Sequence, residues 1–134
     1  MSNFFSQASS LRRVPKQARS KQRVNDLLDA AAEVFLEVGY SEATTHMIAE
    51  NANTAVGSLY QFFADKQAMF QALELRHIER GQNLRTKILA LGKARLSLEE
   101  FIDQMVDRCV EFFELPASRA IFVQYFTNPS LLQH

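Results

Sequence analysis

The sequence predicts an all-α protein, with a three-helix helix-turn-helix unit near its N-terminus and a further helical region after it. Three observations carry that prediction. Apolar residues recur at the i, i+3, i+4, i+7 spacing of amphipathic helices from about residue 21 onward, and no alternating β pattern appears. Helix-start and helix-stop residues stand at the ends of those periodic runs. Residues 44–66, TTHMIAENANTAVGSLYQFFADK, have the layout of two short helices joined by a tight turn, with small and polar side chains outward on the second.

Residues 1–19 read as a flexible basic arm. Ser and Gln are common there, Pro15 interrupts any helix, and no apolar period is visible. The first helix covers about residues 21–38, with Val24, Leu27, Leu28, Ala31, Phe35 and Val38 on one face. Gly39 can take the left-handed conformation that ends it. Thr44 and Thr45 offer an N-cap for a second helix over about residues 45–52, whose inward face is Ile48, Ala49 and Ala52. Asn53 makes the turn, because Asn tolerates positive φ better than most residues with a side chain. The third helix, about residues 55–62, directs Leu59 and Phe63 to the core.

Asp65 caps a long fourth helix that reaches Leu91, with Gly81 as a bend and Gly92 as its end. Its apolar positions are Met69, Phe70, Leu73, Ile78, Leu84, Ile88 and Leu91. Ser97 and Glu100 form the S-x-x-E capping box of a fifth helix. The apolar set of that helix, Phe101, Ile102, Met105, Val106, Cys109, Val110, Phe112 and Phe113, is broad and predicts cover on more than one side. Pro116 stops it, and a sixth helix follows over about residues 117–126. Asn128 and Pro129 form a further helix-start signal, shortly before His134.

Composition narrows the function. A chain of 134 residues buries roughly two-thirds of its unfolded surface, enough for a core without staples. Formal net charge is zero, yet Arg12, Arg13, Lys16, Arg19, Lys21 and Arg23 all precede the first acid, Asp26. A neutral total can thus hide a basic face. Cys109 is the only cysteine, so neither an intrachain disulfide nor a cysteine-bound zinc is available, which suits a reducing cytoplasm. No apolar run approaches the ~18 residues of a membrane span, and residues 1–20 lack the apolar core of a secretory signal. His46, His77 and His134 share no metal-ligand spacing, and no Ser-His-acid or paired-carboxylate set stands out. No metal, cofactor or enzymatic activity is therefore expected.

The helix-turn-helix stretch meets two physical requirements of DNA reading. Small residues belong where the two helices cross, and Ala49 and Ala52 fit. The second helix must bring its first turns close to base edges, and Ala55, Val56, Gly57 and Ser58 leave room for that approach. Phosphate contacts should flank this surface. Thr45, Tyr60 and Lys66 are placed for them, and Arg19 and Lys21 of the basic run extend the set. Val56 and Gln61 face outward on a helical reading, and Val56 can offer an apolar contact to a thymine methyl group.

The sequence resembles the tetracycline-repressor (TetR/AcrR) family of bacterial transcriptional regulators. Ala31, Phe35, Gly39, Tyr40, Thr44, Thr45, Ile48, Ala49, Ala52, Gly57, Leu59, Tyr60, Phe63 and Lys66 stand at that family's spacing, and the resemblance covers about residues 20–70. It implies a DNA-binding domain over residues 20–66 and a partial helical effector and dimerisation domain over residues 67–134. It also implies a cytoplasmic, nucleoid-associated repressor that binds a pseudo-palindromic double-stranded operator as a homodimer and is released by a small-molecule effector. In the family pattern Tyr60 donates to phosphate. By the same resemblance His46 can reach a base edge, and Val56, Gly57, Ser58 and Gln61 of the third helix complete the candidate base contacts.

The chain departs from the family where it has Asn53 for the usual turn Gly, Thr54 and Ala55 for Val and the capping Ser, and Phe62 for Tyr or His. Family members usually continue well past residue 134 through their dimer helices. Weak dimerisation, with Ile121, Phe122, Tyr125 and Phe126 partly uncovered, is the expectation for this length. An alternative reading is a truncated paralogue, a protein-interaction module that pairs with a full-length regulator.

Overall fold

A computed structural model describes Phe5, residues 9–127 and residues 129–132. Parts of the arm, the capping Asn128 and the terminal His134 lie outside the described residues. Among these residues the chain forms six α-helices: α1 Ala18–Val38, α2 Thr45–Asn51, α3 Val56–Phe62, α4 Lys66–Lys93, α5 Leu98–Glu114 and α6 Pro116–Thr127. A 3₁₀ turn, Pro129–Leu132, follows where a helix start is predicted. The only β-type pairing among the described residues is one isolated bridge, Leu11 to Phe63.

α1 starts three residues before the apolar rhythm does, since Gln17 opens it without any side-chain cap. Its face Val24, Leu27, Leu28, Ala31 and Phe35 is completely buried. Val38, predicted to share that face, is 39% exposed, because α1 ends there and Gly39 (φ 83°) turns the chain away. Thr44 caps α2 by accepting from Met47 N–H at 3.1 Å, and Asp65 caps α4 by accepting from Ala68 N–H at 2.8 Å. The capping box at Ser97 and Glu100 is present in both directions, at 3.1 Å each way.

Asn53 carries the turn with φ 54°. A β-branched residue resists this conformation. Asn53→Val should therefore lower the unfolding free energy by about 1–2 kcal/mol, while Asn53→Gly should change it little. Urea denaturation of both variants is the check, and equal stability of the two would remove the turn's claim on that residue.

The core lies between α1, α4 and α6, with α2 and α3 closing one end. Phe35, Tyr40, Phe70 and Tyr125 form its aromatic centre, with ring centroids 5.3–6.4 Å apart. Two predicted features of α4 differ. Gly92 does not end it: the helix runs through Lys93 and Ala94 caps it in an extended conformation. Its apolar positions are buried only in the first half, at Met69, Phe70 and Leu73, whereas Ile78 is 55% exposed.

α5 departs furthest from expectation. None of its residues is buried. Phe112 turns toward α4, where its ring lies 5.2 Å from that of His77. Leu98, Ile102, Val106, Val110 and Phe113 form an exposed apolar stripe on another side. Cys109 is half-buried beside that stripe. In α6, Ile121 is fully buried rather than uncovered, and Phe126 stands out at 83% exposure.

His77 sits in a second aromatic group with Phe112 and Phe122 and lies 3.3 Å from Ser118 Oγ. Burial, and next the charge of Arg80, hold its imidazole below the ordinary histidine range. Among the described residues no helix is long and apolar enough to cross a membrane, and no group of His, Cys, Asp or Glu is arranged to hold a metal ion.

Candidate nucleic-acid interface

The candidate residues lie on the first turn of α2, on the outward side of α3, and among residues 12–23. α3 is anchored by Leu59, Phe62 and Phe63, all buried, which fixes which side faces out. Gly57, Tyr60 and Gln61 are exposed, while Val56 and Ser58 are half-buried. Phe62 is therefore a core residue here and has no place among surface contacts. Ala55 makes no side-chain cap, and Thr54 does not supply one; its N–H closes the turn on Ala49 O at 2.9 Å instead. His46 is exposed on the first turn of α2.

Thr45 and Tyr60 come together. Thr45 Oγ1 and the Tyr60 hydroxyl are 2.7 Å apart and link α2 to α3 at the surface. Two hydroxyls held side by side suit a phosphate oxygen, because either can rotate its proton outward. Arg19 and Lys21 are exposed on the first turns of α1, and Lys21 Nζ lies 5.8 Å from the centre of the Phe5 ring. Arg12, Arg13, Lys16 and Arg23 are exposed as well.

The Lys66 side chain is directed into the turn that precedes α2. Its ammonium group donates to Tyr40 O at 2.7 Å, Ser41 O at 3.0 Å and Ala43 O at 3.1 Å, and lies 4.7 Å from the centre of the Tyr40 ring. All three of its protons are engaged by the turn between α1 and α2. That geometry ties the turn down and leaves no proton for a phosphate.

Sequence reasoning missed two other contributors. Gln124 of α6 is 1% exposed; it accepts from Tyr40 N–H at 3.0 Å and donates to Phe35 O at 3.1 Å. Arg12 donates through its guanidinium to Tyr60 O at 3.0 Å and through its backbone N–H to Phe62 O at 2.7 Å. The arm is thus docked on the end of α3. Gln124 belongs to no pattern that the sequence displays, and the basic run that includes Arg12 gives no sign that it docks on α3.

Residues 27–73 match the family described as bacterial regulatory proteins, tetR family, and the chain belongs to that family. It is 33% identical over 101 residues to the HTH-type transcriptional regulator UidR of Escherichia coli, an alignment covering 73% of this chain and 47% of that protein. It is 34% identical over 96 residues to the HTH-type transcriptional activator FasR of Mycolicibacterium smegmatis, covering 68% of this chain and 42% of that one. A crystal structure of a TetR-family transcriptional regulator from Mesorhizobium loti shares the fold, with a TM-score of 0.63 at 21% identity over 87% of this chain and 60% of that one. The chain spans about half the length of the curated relatives it matches.

Proposed function

We propose that the protein is a DNA-binding transcriptional regulator, a cytoplasmic, nucleoid-associated repressor that binds a pseudo-palindromic operator as a homodimer and is released by a small-molecule effector. Residues 20–66 read the DNA, and the helices from residue 67 onward carry the effector and assembly functions. The single observation that supports this best is the surface of α3: Gly57, Tyr60 and Gln61 outward, Val56 and Ser58 within reach, and the Thr45 and Tyr60 hydroxyls 2.7 Å apart beside them. His46, Val56, Gly57, Ser58 and Gln61 are the proposed base contacts. Thr45, Tyr60, Arg19 and Lys21 are the proposed phosphate contacts, and Lys66 serves them indirectly by holding the turn before α2.

Fluorescence anisotropy with a randomised duplex library, run across a salt series, tests the reading. Binding should weaken steeply with salt. Ser58→Ala should change preference at one or two base pairs by about 1–3 kcal/mol. Tyr60→Phe should weaken all sequences about equally, by roughly 1 kcal/mol, with no change in salt slope because no charge is removed. Binding that ignores salt, or no duplex bound by the wild-type chain, would overturn it. A promoter reporter then decides between repression and activation.

A further inference from the structure

α3 is a weak helix on its own terms. At seven residues it is far shorter than the ~12–15 that an isolated helix needs, and its N-cap, Ala55, contributes no side-chain bond. Its C-terminal carbonyls, like those of any helix, lack partners within the helix. Two of them are met by one residue of the arm: Tyr60 O by the Arg12 guanidinium and Phe62 O by the Arg12 N–H. Leu11 pairs with Phe63 alongside and packs against the core, and Pro15, three residues after Arg12, is buried. The arm is therefore pinned on both sides of Arg12, and the positive charge of Arg12 sits at the negative end of the helix dipole.

We infer that Leu11 and Arg12 form a strap that holds the DNA-reading helix in place, making Arg12 a positioning residue rather than one of the arm's phosphate contacts. This rests on the proposed reading of α3 as the element that reads bases. The strap bears on the backbone of Tyr60 and Phe62, so it fixes the last turn of α3, which carries Gln61 and the Tyr60 hydroxyl. Arg13, exposed next to it, carries the same charge and is the natural control.

The full chain and its Arg12→Ala and Arg13→Ala variants separate the two roles. Without DNA, Arg12→Ala should speed hydrogen exchange at the Leu59 and Phe63 amides about tenfold, and Arg13→Ala should leave them unchanged. With DNA, the probes are the tightest duplex recovered from a randomised library and a random duplex of equal length. Arg12→Ala should lower the preference between them about tenfold while keeping the salt slope of the wild type. Arg13→Ala should weaken both duplexes alike and reduce the slope by about 0.9 if it meets a phosphate. Unchanged exchange in Arg12→Ala would overturn the strap. A slope reduced by about 0.9 in Arg12→Ala, with preference intact, would overturn the positioning role in favour of a phosphate contact. If the wild-type chain bound no duplex, the DNA reading and the positioning role would fall together, and the exchange data would still decide the strap.

Discussion

Gln124→Leu should lower the unfolding free energy by about 2–3 kcal/mol, a large change for a side chain that touches no proposed ligand. Leucine fills most of the same space but can neither accept from Tyr40 N–H nor donate to Phe35 O, the two bonds that Gln124 makes across 84 and 89 residues. Removing one side of a buried hydrogen bond costs the desolvation of the group left behind, about 1–3 kcal/mol. Phe35 O retains the Gly39 N–H at 3.0 Å, so the abandoned Tyr40 N–H should dominate. Urea denaturation of the variant measures the loss, and a loss under about 0.5 kcal/mol would show that water replaces the amide. The same bonds join α6 to the turn that leads into α2. Loosening α6 should therefore reach the helix-turn-helix through Tyr40.

Tyr40 also shows how much of the molecule was legible in the sequence. Local signals were readable because they act within a few residues. Thr44, Asp65, and Ser97 with Glu100 cap the helices they were expected to cap, since a side chain meeting an N–H three residues on needs no tertiary context. Asn53 was readable as a turn for the same reason. Periodicity found the core faces of α1 and the first half of α4, where one side is buried except at Val38, the last residue of α1. It could not tell whether the apolar set of α5 is covered, because a stripe looks the same whether or not anything lies against it. Gly92 misled because a glycine ends a helix only where the chain must adopt positive φ, and here the end falls at an extended Ala94.

The unreadable features are those in which a polar side chain crosses between elements far apart in sequence. Gln124 within an apolar helix resembles a solvent-facing residue until α1 is placed beside it. Arg12 resembles any other member of a basic run until the end of α3 is placed beside it. Of the candidate site, the outward side of α3 followed from helical spacing, whereas the approach of the Thr45 and Tyr60 hydroxyls joins two helices and is displayed by no spacing. The directions of Lys66 and Arg12 depended on carbonyls that no sequence pattern displays.

Lys66→Ala decides whether Lys66 contacts phosphate or holds the fold. A lysine at the start of α4, beside a basic arm, is placed by sequence for phosphate, and losing such a contact would reduce the salt slope of DNA binding by about 0.9. The structure directs the side chain elsewhere. Its three protons meet the carbonyls of Tyr40, Ser41 and Ala43, and it stacks its charge over the Tyr40 ring. Alanine leaves those three carbonyls to water and frees the turn that presents Thr44, the cap of α2. The expected loss of stability is about 2–3 kcal/mol, given about 1.5–3 kcal/mol for a hydrogen bond to a charged group and partial compensation by solvent. Binding should weaken for all duplexes alike, because Thr45 and the first turn of α2 lose their support, and the salt slope should stay at its wild-type value. Denaturation and a salt series on the same variant read both effects. A stable variant with a reduced slope would return Lys66 to the phosphate set, whereas an unstable variant with an unchanged slope would assign it to the turn.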